Sequence, residues 1–406
     1  MSMTRRHIRI PRVGKLITPV GEEFVAVEAL SGIVVIAGAV AALVWFNVAP
    51  GSYEELWTHV LTIGSGEFAI SLDLRHWLND GLMAIFFFVV GLEIKRELVR
   101  GELRDRRTAA VPVFAALGGM VVPAAIYLAL NLGTDAADGW GVPIATDIAL
   151  AIGVLSVLGS FIPSPLRLFL LTLAIVDDIG AIVVIALFYS EGISGPWLAA
   201  AGAMVLVLVA LQRLHVAHPL LYVLPAIGLW ICTYQSGVHA TIAGVILGLL
   251  TPANPFGGRA VLEQLESRLH PFTSFLIVPL FALANAGVTL SREAFADAAA
   301  SRVAWGIALG LVLGKLFGVV GATAAVCRFG RGQLPTGVAF QHIVGAGALA
   351  GIGFTVSLFI ADLTFLGPRA EYAKIAILVA SVTAAALGAA ILLLARRLPD
   401  RLRAPD

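Results

Sequence analysis

Charge is what this sequence lacks. Asp, Glu, Lys and Arg make up only 13% of its 406 residues, where soluble domains carry about 25%. Hydrophobic residues reach 59% and mean hydropathy is +0.93, which excludes an ordinary soluble domain and points to an integral membrane protein. Cysteine is nearly absent. Cys232 and Cys327, both in apolar surroundings, make neither a disulfide framework nor a metal quartet. The formal net charge of +1 gives no acidic or basic excess to recruit nucleic acid or a charged partner. The basic start "MSMTRRHIRIPRVGK" runs into an apolar stretch with no small-residue cleavage site, so an uncleaved first helix is expected rather than a signal peptide.

Long apolar runs are what the chain has instead. A spanning helix needs roughly 20 mostly apolar residues. By that measure about twelve transmembrane helices are expected, at 27–48, 77–94, 108–131, 139–159, 165–190, 195–212, 218–235, 237–251, 271–288, 303–326, 336–365 and 371–395. The segment 51–76 is polar and partly alternating, with a turn at Gly64-Ser65-Gly66, which predicts a small β-hairpin. Twelve spans put both termini, 1–26 and 396–406, on one side. That side collects 21 Lys and Arg, the other 5, and Lys315 alone falls inside the membrane. The positive-inside rule then makes the termini cytoplasmic and the hairpin extracytoplasmic.

Four ionisable residues fall near the middles of these spans: Asp147 in "GVPIATDIALAIG", Asp177 and Asp178 in "TLAIVDDIGAIVV", and Lys315 in "LGLVLGKLFGVVG". Each costs about 2.5–3.5 kcal/mol to insert, while a Leu, Ile, Val or Phe returns only about 0.3–0.6. Intramembrane charges are kept for function by default, facing a bundle interior or a wet cavity. An Asp–Lys pair can also serve only to hold helices together, but three carboxylates against one ammonium do not fit that role. The excess negative charge requires protons, a bound cation, or both. Carboxylate oxygens suit hard cations and bind protons as well, so the two compete for one site. If that site opens alternately to each side, competition becomes exchange without nucleotide.

Helix breakers sit near these charges. Gly141-Val142-Pro143 precedes Thr146-Asp147, and "GAGALAGIGFT" carries Gly345, Gly347, Gly351 and Gly353. Unwound backbone at mid-membrane is tolerated only where it lines protein or a cavity. The fourth and eleventh spans are the middles of two trios, 108–190 and 303–395, a placement that marks transporter sites in inverted repeats. Close helix packing accounts for glycines in the eleventh span equally well.

Seven stretches carry a family resemblance. In chain order they are "NDGLMAIFF" at 79–87, "GLEIKREL" at 91–98, "ATDIA" at 145–149, "VDDIG" at 176–180, "SGVHATIAG" at 236–244, "LGKLFG" at 313–318 and "GIGFTVSLFI" at 351–360. Together they closely resemble the NhaA family of bacterial sodium/proton antiporters. That family is among the cases from which the rule of paired broken spans was drawn, so the two inferences are not independent. The resemblance implies an all-α inner-membrane protein with two broken helices crossing at mid-membrane. It implies electrogenic export of Na+ or Li+ for a larger number of protons, with no cofactor. By motif, Asp178 and Asp177 are the implied cation and proton site and Lys315 the partner of Asp177. Asp147 with Thr146 is implied to balance the helix ends at the crossing. Glu93, Lys95, Arg96, Glu97, Glu266 and His270 match a cytoplasmic pH-regulating region, although such charges also suit a positive rim, and Ser267 stands where the family reads histidine. His239 matches "GVHAT", and a lone histidine there also suits a helix–helix hydrogen bond. The 51–76 hairpin is implied to join a homodimer.

Rival functions fit less well. An intramembrane aspartyl protease could use Asp147 with Asp178, but Lys315 would have no role. "GLVLGK" at 310–315 has three residues between its glycines and Leu316 after the lysine, which excludes a phosphate loop. Channel filters favour rings of carbonyls or charges over an asymmetric cluster containing a lysine. A symporter on a similar scaffold stays open, since the direction of coupling is not written in residue types.

Overall fold

The computed structural model describes residues 19–396 apart from 65–68, 160–161, 191, 217, 219, 257, 259 and 331. The turn expected at Gly64-Ser65-Gly66 and most of both terminal segments therefore lie outside the described residues. The chain is mostly helical. Helix α1 (Pro19–Val48) is followed by α2 (Pro50–Trp57), then strands β1 (Val60–Ile63) and β2 (Ile70–Asp73). These strands pair antiparallel, Val60 opposite Asp73 and Ile63 opposite Ile70. Part of the segment expected as a hairpin is thus helical, because Pro50 starts a turn that buries Tyr53 and Trp57.

A short α3 (Leu74–His76) and a π-helical turn, Trp77–Leu82, lead into α4 (Met83–Val99). Then come α5 (Arg106–Asn131), α6 (Ile148–Leu158), α7 (Ser164–Phe188), α8 (Gly195–Arg213), α9 (Leu220–Gln235) and α10 (Thr241–Leu250). The next helices are α11 (Val261–Phe272), α12 (Val278–Asn285), α13 (Arg292–Ala300), α14 (Arg302–Leu309) and α15 (Lys315–Arg328). The chain closes with α16 (Phe340–Leu349), α17 (Phe354–Thr364) and α18 (Pro368–Ala395).

Each of the twelve expected segments is largely helical. Eight helical stretches among the described residues are long and apolar enough to cross a membrane, and α16 with α17, bent by 43° at a short break, makes a ninth. Helices α9 and α10 are apolar but shorter, and α4 carries four charged residues within "GLEIKREL".

The outer faces are apolar: Leu187, Leu206 and Val382 are 71%, 70% and 71% exposed. In water such a surface would aggregate, while in lipid it is the solvent-facing side. With lipid outside, helices are held by close packing rather than by the hydrophobic effect. The contact of α5 with α15 shows how. A side chain on Gly118 or Gly318 would collide with the carbonyl of the other, so only glycine lets these backbones touch. That contact sets the depth and rotation of Lys315, the first residue of α15.

Candidate functional site

Helix α7 carries Asp177 and Asp178 at its middle, 0% and 5% exposed. Successive helical residues point about 100° apart, and the two carboxylates accordingly meet different surroundings. Asp177 faces α15. Its Oδ2 accepts a hydrogen bond from Lys315 Nζ, and both side chains are fully buried. Lys315 follows a π-helical turn, Gly310–Gly314, a local change of pitch of the kind that re-aims a side chain at functional positions.

Thr146 lies between Asp177 and a helix end. Its Oγ1 is 2.6 Å from Asp177 Oδ2 and 2.8 Å from the Ala350 carbonyl. A hydroxyl has one proton to donate, so Thr146 can serve either acceptor but not both at once.

Asp147 occupies the place where two helix interruptions touch. Residues 137–144 form a tight 3-10 stretch, 145–147 are extended, and α6 begins at Ile148. The break between α16 and α17 lies alongside: Asp147 N donates to the Ile352 carbonyl at 2.6 Å. Asp147 Oδ1 accepts from Leu150 N at 3.0 Å, capping α6. Its Oδ2 accepts from Thr355 N at 3.1 Å and Thr355 Oγ1 at 2.8 Å, at the start of α17. One carboxylate therefore faces the positive ends of two helices, each equivalent to roughly half a charge. Ser357 Oγ, donating to the Val142 carbonyl at 2.8 Å, ties the same two segments together.

Asp178 turns the other way, into a cavity of about 60 Å³ lined also by Ser31, Glu93, Thr146, Asp147, His270, Thr273, Ser274 and Thr355. Its Oδ1 is buried with no hydrogen-bond partner, as is Asp177 Oδ1. Among the described residues, no group of three or more His, Cys, Asp or Glu side chains is placed to hold a metal ion.

The charged residues of the α4 and α11 ends converge near this cavity. Arg96 bridges Glu266, at a close contact, and Glu97 at 3.3 Å. His270 Nε2 lies 3.8 Å from Glu93 Oε1, and both residues line the Asp178 cavity. Lys95 is half-buried on the same turn of α4. His239 is elsewhere: its Nε2 lies 2.7 Å from the Tyr189 carbonyl, at the end of α7, an arrangement that fits helix packing.

Sequence reasoning missed four residues that complete the cavity: Ser31, Thr273, Ser274 and Thr355. Only Thr355 had a signal, as the threonine of the "GIGFT" motif. Serine and threonine in membrane helices routinely bond to their own backbone carbonyls and so pass unnoticed.

Comparison with known proteins places the sequence in a family. Residues 22–392 match the family described as Na+/H+ antiporter 1. A protein of Frankia alni named Na(+)/H(+) antiporter NhaA 3 is 44% identical, the alignment covering 97% of this chain and 91% of the relative. The Na(+)/H(+) antiporter NhaA of Oleidesulfovibrio alaskensis is 45% identical, over 92% of this chain and 93% of its own. The protein of the same name from Vibrio cholerae is 43% identical, over 91% and 96%. With the match running through every segment that builds the buried carboxylate cluster, the chain belongs to the Na+/H+ antiporter 1 family.

Proposed function

We propose that this protein is a secondary antiporter of the bacterial inner membrane, exporting Na+ or Li+ and importing a larger number of protons. The charge balance around Asp178 is the observation that carries this. Asp177 is matched by Lys315, and Asp147 by two helix N-termini. Asp178 has no counter-charge in contact, and an isolated buried carboxylate is too costly to keep. It must therefore hold a proton or a cation, and each displaces the other.

Asp178 is then the main cation ligand, and Asp177 the second proton carrier. Lys315 holds Asp177 in the absence of load and releases it as the site fills. Two carboxylates exchanging protons against one cation move net charge. Thr146 and Asp147 keep the broken segments in register around the site. The scaffold for this cycle is a single transporter domain with twelve crossings. They comprise the nine candidate stretches, α9, α10 and the helix over 77–99. Two inverted trios at 108–190 and 303–395 have broken middle members that cross at the site, and both termini are cytoplasmic.

Glu93 and His270 line the Asp178 cavity close to the ion pairs of Arg96 with Glu97 and Glu266, and together these groups regulate entry with pH. Lys95 adds to that rim, and His239 is the more remote member of the set. Two copies join through the 51–76 segment. In support of this, Val60, Leu61 and Ile63 of β1 are exposed and apolar, a strand surface that favours pairing. The test of the core proposal is Asp178→Asn in proteoliposomes. Sodium-driven proton movement disappears if Asp178 binds the cation, and near-normal exchange would refute the assignment.

A further inference from the structure

The carboxylates alone cannot coordinate a cation in this cavity. Both oxygens of Asp147 are occupied by backbone and hydroxyl donors. Asp177 does not line this cavity, and its Oδ2 is occupied by Lys315 and Thr146. Asp178 therefore supplies at most two free oxygens. Hard cations take about six oxygen ligands, more than Asp178 can supply. The remaining oxygens come from water and from the polar side chains that line the cavity with Asp178.

The remaining wall offers hydroxyls. Ser31 of α1 is fully buried, and Thr273 is 2% exposed at the start of the π-helical turn Thr273–Ile277. Ser274 follows it, and all three line the cavity with Asp178. Thr273 Oγ1 donates its proton to the His270 carbonyl at 2.9 Å. A hydroxyl whose proton is held elsewhere presents only lone pairs, the correct polarity for a cation. Glu93 lines the same wall but lies against His270.

We propose that Ser31, Thr273 and Ser274 supply the part of the cation's coordination shell that Asp178 leaves open, and so set affinity and discrimination among alkali cations. This rests on the assignment of Asp178 as the cation ligand and adds to it a hydroxyl wall carried by α1 and the π-turn. Because the hydroxyls do not bind the exchanged protons, their loss should weaken cation binding without slowing the loaded cycle.

The experiment compares Thr273→Val and Ser274→Ala with Thr273→Ser and Asp178→Asn in the full-length protein. Sodium and lithium dependence of proton flux is measured in proteoliposomes, and sodium binding by calorimetry in detergent. Each lost hydroxyl is expected to raise the Na+ KM and Kd by about 3- to 10-fold, as for one lost polar ligand. The maximal rate should be retained, the Na+ to Li+ ratio changed, and Thr273→Ser should behave as the parent. Calorimetry keeps the test open for a variant that reconstitutes poorly. Unchanged Na+ affinity in both variants, with Asp178→Asn inactive, overturns the hydroxyl wall and leaves the Asp178 assignment standing. A lowered maximal rate at unchanged KM also overturns it. Exchange that survives Asp178→Asn overturns both.

Discussion

Replacing Lys315 by methionine isolates the charge at the centre of the molecule. Methionine keeps nearly the length of the lysine stem, so packing against Gly119 is largely retained, and what disappears is one charge and its bond to Asp177. Both partners are 0% exposed, and Asp177 keeps only the Thr146 hydroxyl, at 2.6 Å, as a donor. Removing one partner of a buried ion pair costs about 3–5 kcal/mol, whereas replacing both is often near neutral. Lys315→Met should therefore lower stability by about that amount, and Lys315→Met/Asp177→Asn should recover at least half of the loss. The check is thermal unfolding of the purified protein in detergent, followed through its 7 tryptophans. A Lys315→Met variant that unfolds at the parent's temperature would refute the reasoning. So would a double variant no more stable than the single one.

Three further outcomes follow from the geometry. Asp147→Asn keeps one acceptor oxygen for two helix starts, so it should lose about 1–2 kcal/mol of stability, and Asp147→Ala about twice that; equal unfolding temperatures for both and the parent would contradict the double cap. Burial pushes the Tyr53 phenol up to about 12, so the folded state keeps a proton that the unfolded chain gives up near pH 10. Stability is then full below about pH 10 and falls as pH rises towards 12, and an alkaline unfolding scan should show a shallower decline in Tyr53→Phe. If one net charge moves per cycle, an imposed potential of 100 mV is worth about 2.3 kcal/mol, or about a 50-fold shift in the sodium ratio at equilibrium; a ratio indifferent to potential in valinomycin-clamped vesicles would argue for electroneutral exchange.

How much of the site was legible in the sequence depends on the residue. A charge within an apolar run is visible at once, because hydrocarbon makes it costly and only function retains it. Asp147, Asp177, Asp178 and Lys315 stood out for that reason. The hairpin was readable from alternation, but not the helical turn that buries Tyr53 beside it. The charges of α4 and α11 were readable as a group, but not their pairing: Arg96 reaches Glu266, 170 positions away.

The sequence by itself determined that the chain lives in a membrane, where its apolar segments lie, and which four ionisable groups are buried among them. Composition and run length decide those things, since each follows from the transfer of individual side chains out of water. Only the tertiary structure decided what each group faces. Asp177 and Asp178 are identical and adjacent, and a helical rotation of about 100° sends one to Lys315 and the other to a cavity. Asp147 caps two helices because a break 208 positions further along the chain is packed against its own. The hydroxyls of Ser31 in α1 and of Thr273 and Ser274 in a distant π-helical turn line one cavity. Such convergence is a property of packing, and no local pattern of residues encodes it.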